Sequence, residues 1–180
     1  MNQKTIIVIN GKGGTGKDTL CASLAEVWPV MTVSAIDPIK EIARQHGWMG
    51  EKDDRARRFL AELKQTFVNY NDLPTRYLRG KTEEFLSGDG EILFVHIREA
   101  DQIDAYKAAI LPARCVTLLV TRGEIDKTHH YGNPADDEVF NYSYDYVFEN
   151  DAPIEESSKR FLALIRKIRS AQEIRSHERD

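Results

Sequence analysis

Most of the architecture of this chain is predicted by one stretch, Thr5-Ile6-Ile7-Val8-Ile9-Asn10-Gly11-Lys12-Gly13-Gly14-Thr15-Gly16-Lys17-Asp18-Thr19. Its apolar first part predicts a buried strand over Thr5–Asn10, and a helix is predicted over residues 17–27. The glycine-rich run satisfies G-x-x-x-x-G-K, although Asp18 stands where Ser or Thr is usual. Glycines let successive backbone N–H groups curl around a phosphate, and Lys17 at the helix N-terminus supplies a positive charge. The sequence therefore predicts that residues 11–19 bind a nucleoside triphosphate, with ATP as the expected cofactor.

The same run also fits two other nucleotide-binding patterns. Gly11-x-Gly13-x-x-Gly16 is the dinucleotide fingerprint, and Asp37 follows at about the distance of a ribose-binding acid. Lys17 disfavours that interpretation, because a pyrophosphate at a helix N-terminus does not require it. Residues 12–17 are also similar to the loop of partition-type and septum-site ATPases, in which a lysine at the position of Lys12 reaches the nucleotide of a partner subunit.

Composition restricts the class of protein further. The chain has 180 residues, 41% of them hydrophobic and 30% charged, which is typical of one globular α/β domain over residues 1–180. Its formal net charge of −4 argues against a nucleic-acid partner. Cys21 and Cys115 lack metal-ligand spacing and are expected to be reduced core residues of a cytoplasmic protein. Since the first strand begins almost at once and no apolar run approaches membrane-spanning length, we expect neither a signal peptide nor a membrane partner.

Strand and helix signals alternate along the chain. Beyond the first strand, strands are predicted over residues 31–36, 92–97, 115–120 and 144–148. Further helices are predicted over residues 37–46, 53–70, 77–86, 101–110 and 154–168. This alternation predicts an α/β, three-layer P-loop NTPase fold, in which helices cover both faces of a five-stranded parallel sheet.

Three segments carry more specific predictions. Residues 53–70 have the clearest helical periodicity, and their apolar side chains form one stripe. The stripe consists of Ala56, Phe59, Leu60, Leu63, Phe67 and Tyr70. The polar, turn-rich residues 122–141 are predicted to be a lid-like insertion, and the charged tail over about residues 170–180 is expected to fray.

Residues suited to phosphoryl transfer follow the predicted strands and should meet at one edge of the sheet. Lys17 is expected to bridge the β- and γ-phosphates, and Thr19 to bind the α-phosphate or assist the metal. Arg98, after the third strand, is the candidate for holding an acceptor phosphate. Arg122, after the fourth strand, is the candidate for stabilising the transferring group.

Some of these candidates also have a purely structural interpretation. Arg98 could form a surface ion pair with Glu99 or Asp101, and Arg122 could be a solvated loop charge. Asp37, after the second strand, could accept a proton or bind an acceptor hydroxyl, or it could cap the helix that follows. The sequence leaves these alternatives open.

The chain resembles the nucleoside monophosphate kinases, and within them most of all the phage-type deoxynucleoside monophosphate kinases. Residues 11–19 match their G-x-x-x-x-G-K-D-T loop, in which Asp takes the usual place of Ser or Thr. Asp37-Pro38-Ile39-Lys40 is similar to the segment after their second strand. Ile97-Arg98-Glu99-Ala100-Asp101-Gln102-Ile103 is similar to a segment whose arginine grips the acceptor phosphate. Tyr144-Asp145-Tyr146-Val147-Phe148-Glu149-Asn150-Asp151 is similar to their closing strand and turn.

This resemblance implies an ATP-dependent kinase that uses Mg²⁺, with Asp18 as metal ligand and a nucleoside or deoxynucleoside monophosphate as small-molecule acceptor. Two features depart from the family pattern. His96 stands near a position where the family usually has an aspartate, so that Mg²⁺ would depend on Asp18 and bound water. Residues 47–79 do not align with a nucleobase pocket, and the acceptor is therefore left open.

Other functions also fit the loop. A switch-type ATPase would need an aspartate and a Pro- or Gly-containing switch at the end of the third strand, whereas residues 95–99 read Val-His-Ile-Arg-Glu. A nucleotide-binding protein without transfer activity is a further alternative, favoured by His96. Among kinases, phosphomevalonate kinase shares the G-K-D loop, so another small phosphorylated acceptor is also compatible with it.

Overall fold

Five short segments form one parallel sheet. The computed structural model describes residues 3–123 and 139–177. The strands are β1 (Thr5–Asn10), β2 (Val30–Ser34), β3 (Ile92–His96), β4 (Val116–Thr121) and β5 (Tyr146–Glu149). Their order across the sheet is β2-β3-β1-β4-β5, with every neighbouring pair parallel. Parallel strands need crossover connections and are covered on both faces, which is why β1, β3 and β4 are almost continuously apolar.

Among the described residues, helices connect the first four strands in sequence, and one more helix follows β5. They are α1 (Lys17–Ser23), α2 (Asp37–Gln45), α3 (Asp54–Asn71), α4 (Leu73–Ser87), α5 (Ala100–Ala109) and α6 (Ile154–His177). Short 3-10 turns lie at Leu24–Glu26 and Val139–Asn141. Buried side chains of α1 and α6 cover one face of the sheet, and those of α4 and α5 cover the other. The predicted fold, with helices on both faces of a five-stranded parallel sheet, is confirmed.

The two faces have different packing chemistry. On the α1–α6 face, the ring of Phe161 stacks 6.2 Å from Phe94 and meets Phe148 edge-on at 5.1 Å, centroid to centroid. Such aromatic contacts add to the free energy gained by burying the rings. On the α4–α5 face, the Tyr106 hydroxyl is buried and lies 2.7 Å from Thr82 Oγ1. This face therefore includes one internally satisfied polar pair.

Several predicted boundaries differ from the observed ones. The helix after the loop is shorter than residues 17–27, since α1 ends at Ser23 and a 3-10 turn follows. Asp72, with a left-handed φ of 49°, separates α3 from α4. Pro74 lies in the first turn of α4, where its missing N–H costs nothing, so α4 begins four residues before the predicted start. Helix α6 continues to His177 and so includes residues 170–177 of the predicted tail.

The predicted apolar stripe of α3 is buried only in part. Ala56 is buried, but Phe59 is 43% exposed and Tyr70 is 82% exposed. The helix packs against α2 and α4, so only part of its stripe is covered. Of the predicted lid, residues 122–123 and 139–141 are described, and residues 124–138 lie outside the described part of the chain.

Two other expectations concern membranes and thiols. Among the described residues, no helix has the length and hydropathy that a membrane crossing requires. Both cysteines are free, with Cys21 buried and Cys115 partly buried. Burial raises the pKa of the Cys115 thiol to about 11 and raises that of Cys21 as well, so both thiols are protonated at neutral pH.

The aromatic cluster predicts a large effect for Phe161→Ala. The side chain is fully buried between two rings, so we expect the free energy of unfolding to fall by about 3–5 kcal/mol. The measurement is urea denaturation followed by circular dichroism. Ile174→Ala, on the same helix but 62% exposed, is the matched control and should change stability by less than about 0.5 kcal/mol. Equal effects of the two variants would contradict this packing.

Candidate phosphate-loop and acceptor site

The loop between β1 and α1 has the backbone geometry of a phosphate cradle. Gly14 and Gly16 adopt left-handed φ angles of 81° and 88°. A Cβ at Gly11 would lie 2.3 Å from the Val120 carbonyl oxygen, because the backbone of β4 passes directly behind the loop. The glycines are therefore required by backbone conformation and by close approach, as the sequence predicts.

Lys17 lies folded over this loop. Its Nζ donates to the carbonyl oxygens of Gly11 at 2.6 Å and Lys12 at 2.8 Å. The Thr15 hydroxyl donates to the Lys12 carbonyl at 2.9 Å, which closes the turn. The predicted phosphate-binding lysine is thus already oriented by the loop that it would serve.

Two buried asparagines hold the loop in place, and the sequence did not indicate either role. Asn10 Oδ1 accepts from Gly11 N at 2.8 Å, while its Nδ2 donates to the Arg98 carbonyl oxygen at 2.9 Å and to Tyr144 Oη at 2.7 Å. Asn150 Nδ2 donates to the Thr15 carbonyl oxygen at 2.7 Å. The only signal was the position of each amide directly after an apolar strand segment.

The Lys12 side chain packs against an aromatic ring of its own chain. Lys12 is only 4% exposed, and Nζ lies 5.5 Å from the centre of the Phe140 ring. A cation over an aromatic face is stabilised by the ring quadrupole. A lysine that reaches into a partner subunit, as in the partition-type ATPases, would need to leave this contact.

His96 and Asp18 face each other beside the loop. His96 Nδ1 lies 3.8 Å from Asp18 Oδ1, with the histidine side chain 14% exposed and the aspartate side chain 94% exposed. Burial is the largest influence on His96 and lowers its pKa, so the imidazole is neutral at pH 7. The charges of Asp18, Lys17, Asp37 and Arg98 also act on this imidazole. All four are predicted site residues, and each is close enough to His96 to influence its pKa.

Asp37 lies where β2 meets α2. Its Oδ2 accepts a hydrogen bond from Ser34 N at 2.7 Å. The helix N-cap position is Ile36, and no side chain caps α2 there. Asp37 therefore closes the turn from β2 into α2 and does not cap the helix, which corrects the structural alternative considered for it.

A cleft of about 510 Å³ opens beside Asp37. Its lining combines three charged side chains with apolar ones from α2 and α4. The lining residues are Asp37, Pro38, Glu41, Ile42, Arg44, Leu73 and Tyr77. Burial raises the pKa of the Tyr77 phenol, and the negative charge of Asp37 raises it further. The cleft has the mixed polar and apolar lining expected of a small-molecule site.

The two candidate arginines both lie just after strands of the sheet. Arg98 is exposed just after β3, and its backbone is anchored through Asn10. Arg122 is exposed just after β4, where Gly123 N donates to Asp151 Oδ1 at 3.1 Å. Both lie at the carboxyl edge of the sheet, as predicted, and their catalytic roles stay predictions.

An ion pair between α3 and the segment after β3 was not predicted. Lys64 Nζ donates to both carboxylate oxygens of Glu99 at 2.6 Å, and the two side chains are 12% and 30% exposed. Glu99 immediately follows Arg98. The pair therefore fixes α3 against the segment that carries the candidate acceptor arginine.

The described side chains would hold a metal ion only together with a nucleotide. Among the described residues, no group of three or more His, Cys, Asp or Glu side chains is suitably placed for a metal. Asp18 fits the Mg²⁺ that the resemblance implies, since Mg²⁺ commonly takes one or two protein carboxylates together with phosphates and water.

Comparison with known proteins identifies the fold. No family model and no curated protein matches the chain. Among solved structures, a gluconokinase from Sinorhizobium meliloti 1021 has a TM-score of 0.52 and 14% identity, with 98% of this chain and 100% of that chain covered. Shikimate kinase from Aquifex aeolicus has a TM-score of 0.51 and 12% identity, covering 91% and 97%. APS kinase CysC from Mycobacterium tuberculosis, in complex with AMPPNP and APS, has a TM-score of 0.51 and 12% identity, covering 92% and 99%. The chain thus has the P-loop fold found in these kinases.

The close approach of β4 to the loop predicts the effect of Gly11→Ala. Its Cβ would meet a backbone oxygen at 2.3 Å, and φ there is 145°, so the loop must distort. We expect binding of an ATP analogue, measured by calorimetry, to weaken at least about tenfold. Gly80→Ala is the matched control, because a Cβ there has open space within a helix and should raise stability by up to about 1 kcal/mol. Unchanged binding in Gly11→Ala would refute the geometric argument.

The Lys64–Glu99 pair predicts a measurable coupling energy. A double-mutant cycle with Lys64→Met and Glu99→Gln should give about 1–3 kcal/mol, because both side chains are largely shielded from water. The Lys81–Glu84 pair on α4 has a similar length of 2.7 Å but is more exposed, and its cycle should give about 0.2–0.5 kcal/mol. Equal coupling in the two cycles would show that the Lys64–Glu99 pair adds no special rigidity.

Proposed function

We propose that this protein is an ATP-dependent phosphotransferase acting on a small-molecule acceptor. The observation that carries the proposal is a lysine-bearing phosphate cradle after β1 together with an open cleft at Asp37, after β2, along the same carboxyl edge of the sheet. His96, at the end of β3, lies between them in the strand order β2-β3-β1. The fold shared with three kinases supports the same conclusion.

The residues present supply what phosphoryl transfer requires. The reaction needs alignment of donor and acceptor, exclusion of water and positive charge on the phosphoryl oxygens. Lys17 binds the β- and γ-phosphates, and the backbone N–H groups of the loop hold the remaining oxygens. Arg98 holds the acceptor anion, and Arg122 approaches the transferring group from the end of β4. Asp18 would hold Mg²⁺ when the nucleotide is bound, and the ion would supply positive charge to the phosphates.

We propose a nucleoside or deoxynucleoside monophosphate as the acceptor. The cleft offers the ring of Tyr77 and the apolar side chains of Ile42 and Leu73 to a flat base. Arg98 lies beyond Asp37, towards the phosphate loop, where it suits the acceptor phosphate. The carboxylates of Asp37 and Glu41 suit amino or hydroxyl groups.

A hydroxylated acceptor without phosphate is the second candidate. The observation that favours it is the Asp37 carboxylate in the cleft lining, since the hydrogen bond from Ser34 N is, among the described residues, the only one that it makes. Its Oδ1 is then available to accept a hydrogen bond from an acceptor hydroxyl. Two of the kinases that share this fold are named for gluconate and shikimate.

Two further alternatives are less well supported. A partition-type switch ATPase would use Lys12 across a dimer, whereas Lys12 is buried on Phe140 of its own chain. A nucleotide-binding protein without transfer activity would not need a second cleft at Asp37.

The proposal predicts ADP formation from ATP that depends on a divalent ion and on an acceptor. One member of a panel of nucleoside monophosphates, deoxynucleoside monophosphates, phosphomevalonate and sugar acids should stimulate it in a coupled ADP assay. Lys17→Ala should lower kcat/KM at least about 100-fold, because its charge stabilises the transferring phosphoryl. The exposed Lys159→Ala on α6 is the matched control and should be unchanged.

The same assay separates the alternatives. Arg98→Ala should raise KM for a phosphorylated acceptor, and Asp37→Asn should mainly lower kcat for a hydroxyl acceptor. ATP-dependent dimerisation that is lost in Lys12→Ala would favour the switch ATPase. ATP binding without stimulation by any acceptor would favour the binding protein.

A further inference from the structure

The position of His96 is rigidly determined by the sheet. It is the last residue of β3, in register with Ile9 of β1 and with Ser34 of β2. Its carbonyl oxygen accepts a hydrogen bond from Ala35 N at 3.0 Å. Because β3 is paired on both sides at this position, the backbone of His96 is fixed. Its side chain therefore stays close to whatever the phosphate loop binds.

Hydrogen bonding does not account for the placement of the His96 ring. The distance of 3.8 Å from Nδ1 to Asp18 Oδ1 is too long for a hydrogen bond. Nε2 is buried and, within the described part of the chain, has no partner. A neutral imidazole with its proton on Nε2 has its lone pair on Nδ1. That lone pair is on the side of Asp18, where it is available to a ligand.

The pair of atoms has the spacing of two ligands to one cation. Neighbouring ligands of an octahedral ion with bonds of about 2.0–2.1 Å lie about 2.9 Å apart. The observed separation of 3.8 Å is longer than this. The Asp18 side chain is 94% exposed, so its rotation can close the difference. Phosphate oxygens held by the adjacent Lys17 would complete the coordination.

From this geometry we propose that His96 Nδ1 and Asp18 Oδ1 together ligate the divalent cation of the bound nucleotide, and that the pair selects Mn²⁺ or a similar transition-metal ion over Mg²⁺. The proposal rests on the nucleotide site proposed above and identifies the ion that this site prefers. Mg²⁺ favours oxygen ligands, whereas an imidazole nitrogen favours first-row transition metals. An aspartate at position 96 would provide an all-oxygen site, and histidine changes that preference.

Pulsed EPR of the Mn²⁺ complex tests the ligation directly. The protein is labelled with ¹⁵N-histidine and combined with Mn²⁺ and β,γ-methylene ATP, an analogue without a bridging nitrogen. We expect a ¹⁵N coupling to Mn²⁺ in the wild-type complex and its loss in His96→Asp. The exposed His46→Asp is the matched control and should keep the coupling. A nucleotide complex without ¹⁵N coupling would overturn the metal assignment.

Calorimetry with the same analogue tests the selectivity. The ratio of affinities measured with Mn²⁺ and with Mg²⁺ should favour Mn²⁺ and should fall by about tenfold or more in His96→Asp. An unchanged ratio would overturn the proposal. Circular dichroism checks that His96→Asp folds. If His96→Asp does not fold, His96→Asn is measured in its place. Absence of analogue binding with either metal would overturn the proposed phosphotransferase, whereas binding without a role for His96 overturns only the metal proposal.

Discussion

The hydrogen bonds of the Asn10 amide are the constraint on which the rest of the site depends. This buried side chain ends β1 and binds the first N–H of the phosphate loop, the carbonyl of Arg98 and the hydroxyl of Tyr144. It therefore joins the loop to the segment after β3 and to the one before β5. A buried amide that loses a partner costs about 1–3 kcal/mol, so the loop cannot shift alone. The backbone of Arg98 and the phosphate loop are held by one group.

The loop is also arranged before any phosphate arrives. The carbonyl oxygens of Gly11 and Lys12 orient the Lys17 ammonium. Asn150, which lies between β5 and α6, holds the loop through its hydrogen bond to the Thr15 carbonyl oxygen. A ligand that enters a preorganised site loses less conformational entropy on binding. The local positive charge contrasts with the net charge of −4 for the whole chain. The positive charge of this site therefore comes from a few placed groups and not from overall composition.

The features that sequence predicts well here are local ones. Glycine spacing and apolar runs predicted the loop, the five strands and their parallel sheet, because each depends on consecutive residues. The features it missed join distant residues: Asn150 bonds across 135 positions, Asn10 across 88, and Lys64 across 35. The burial of α3 was also mispredicted, because periodicity indicates an apolar face but not the neighbour that covers it. The start of α4 was predicted four residues too late, although proline is favourable in the first turn of a helix and Pro74 lies in that turn.

The charges around the cleft bear on the proposed acceptor. Asp37, Glu41 and Arg44 line the cleft, and Arg44 Nη1 lies 3.9 Å from Glu41 Oε2. Arg44 therefore partly balances the charge of Glu41, whereas the Asp37 carboxylate would repel a phosphate placed beside it. Under the proposed function, a phosphorylated acceptor would direct its phosphate away from Asp37, towards Arg98 and the loop. A nucleoside monophosphate is compatible with this order, because its phosphate and the polar edge of its base lie at opposite ends.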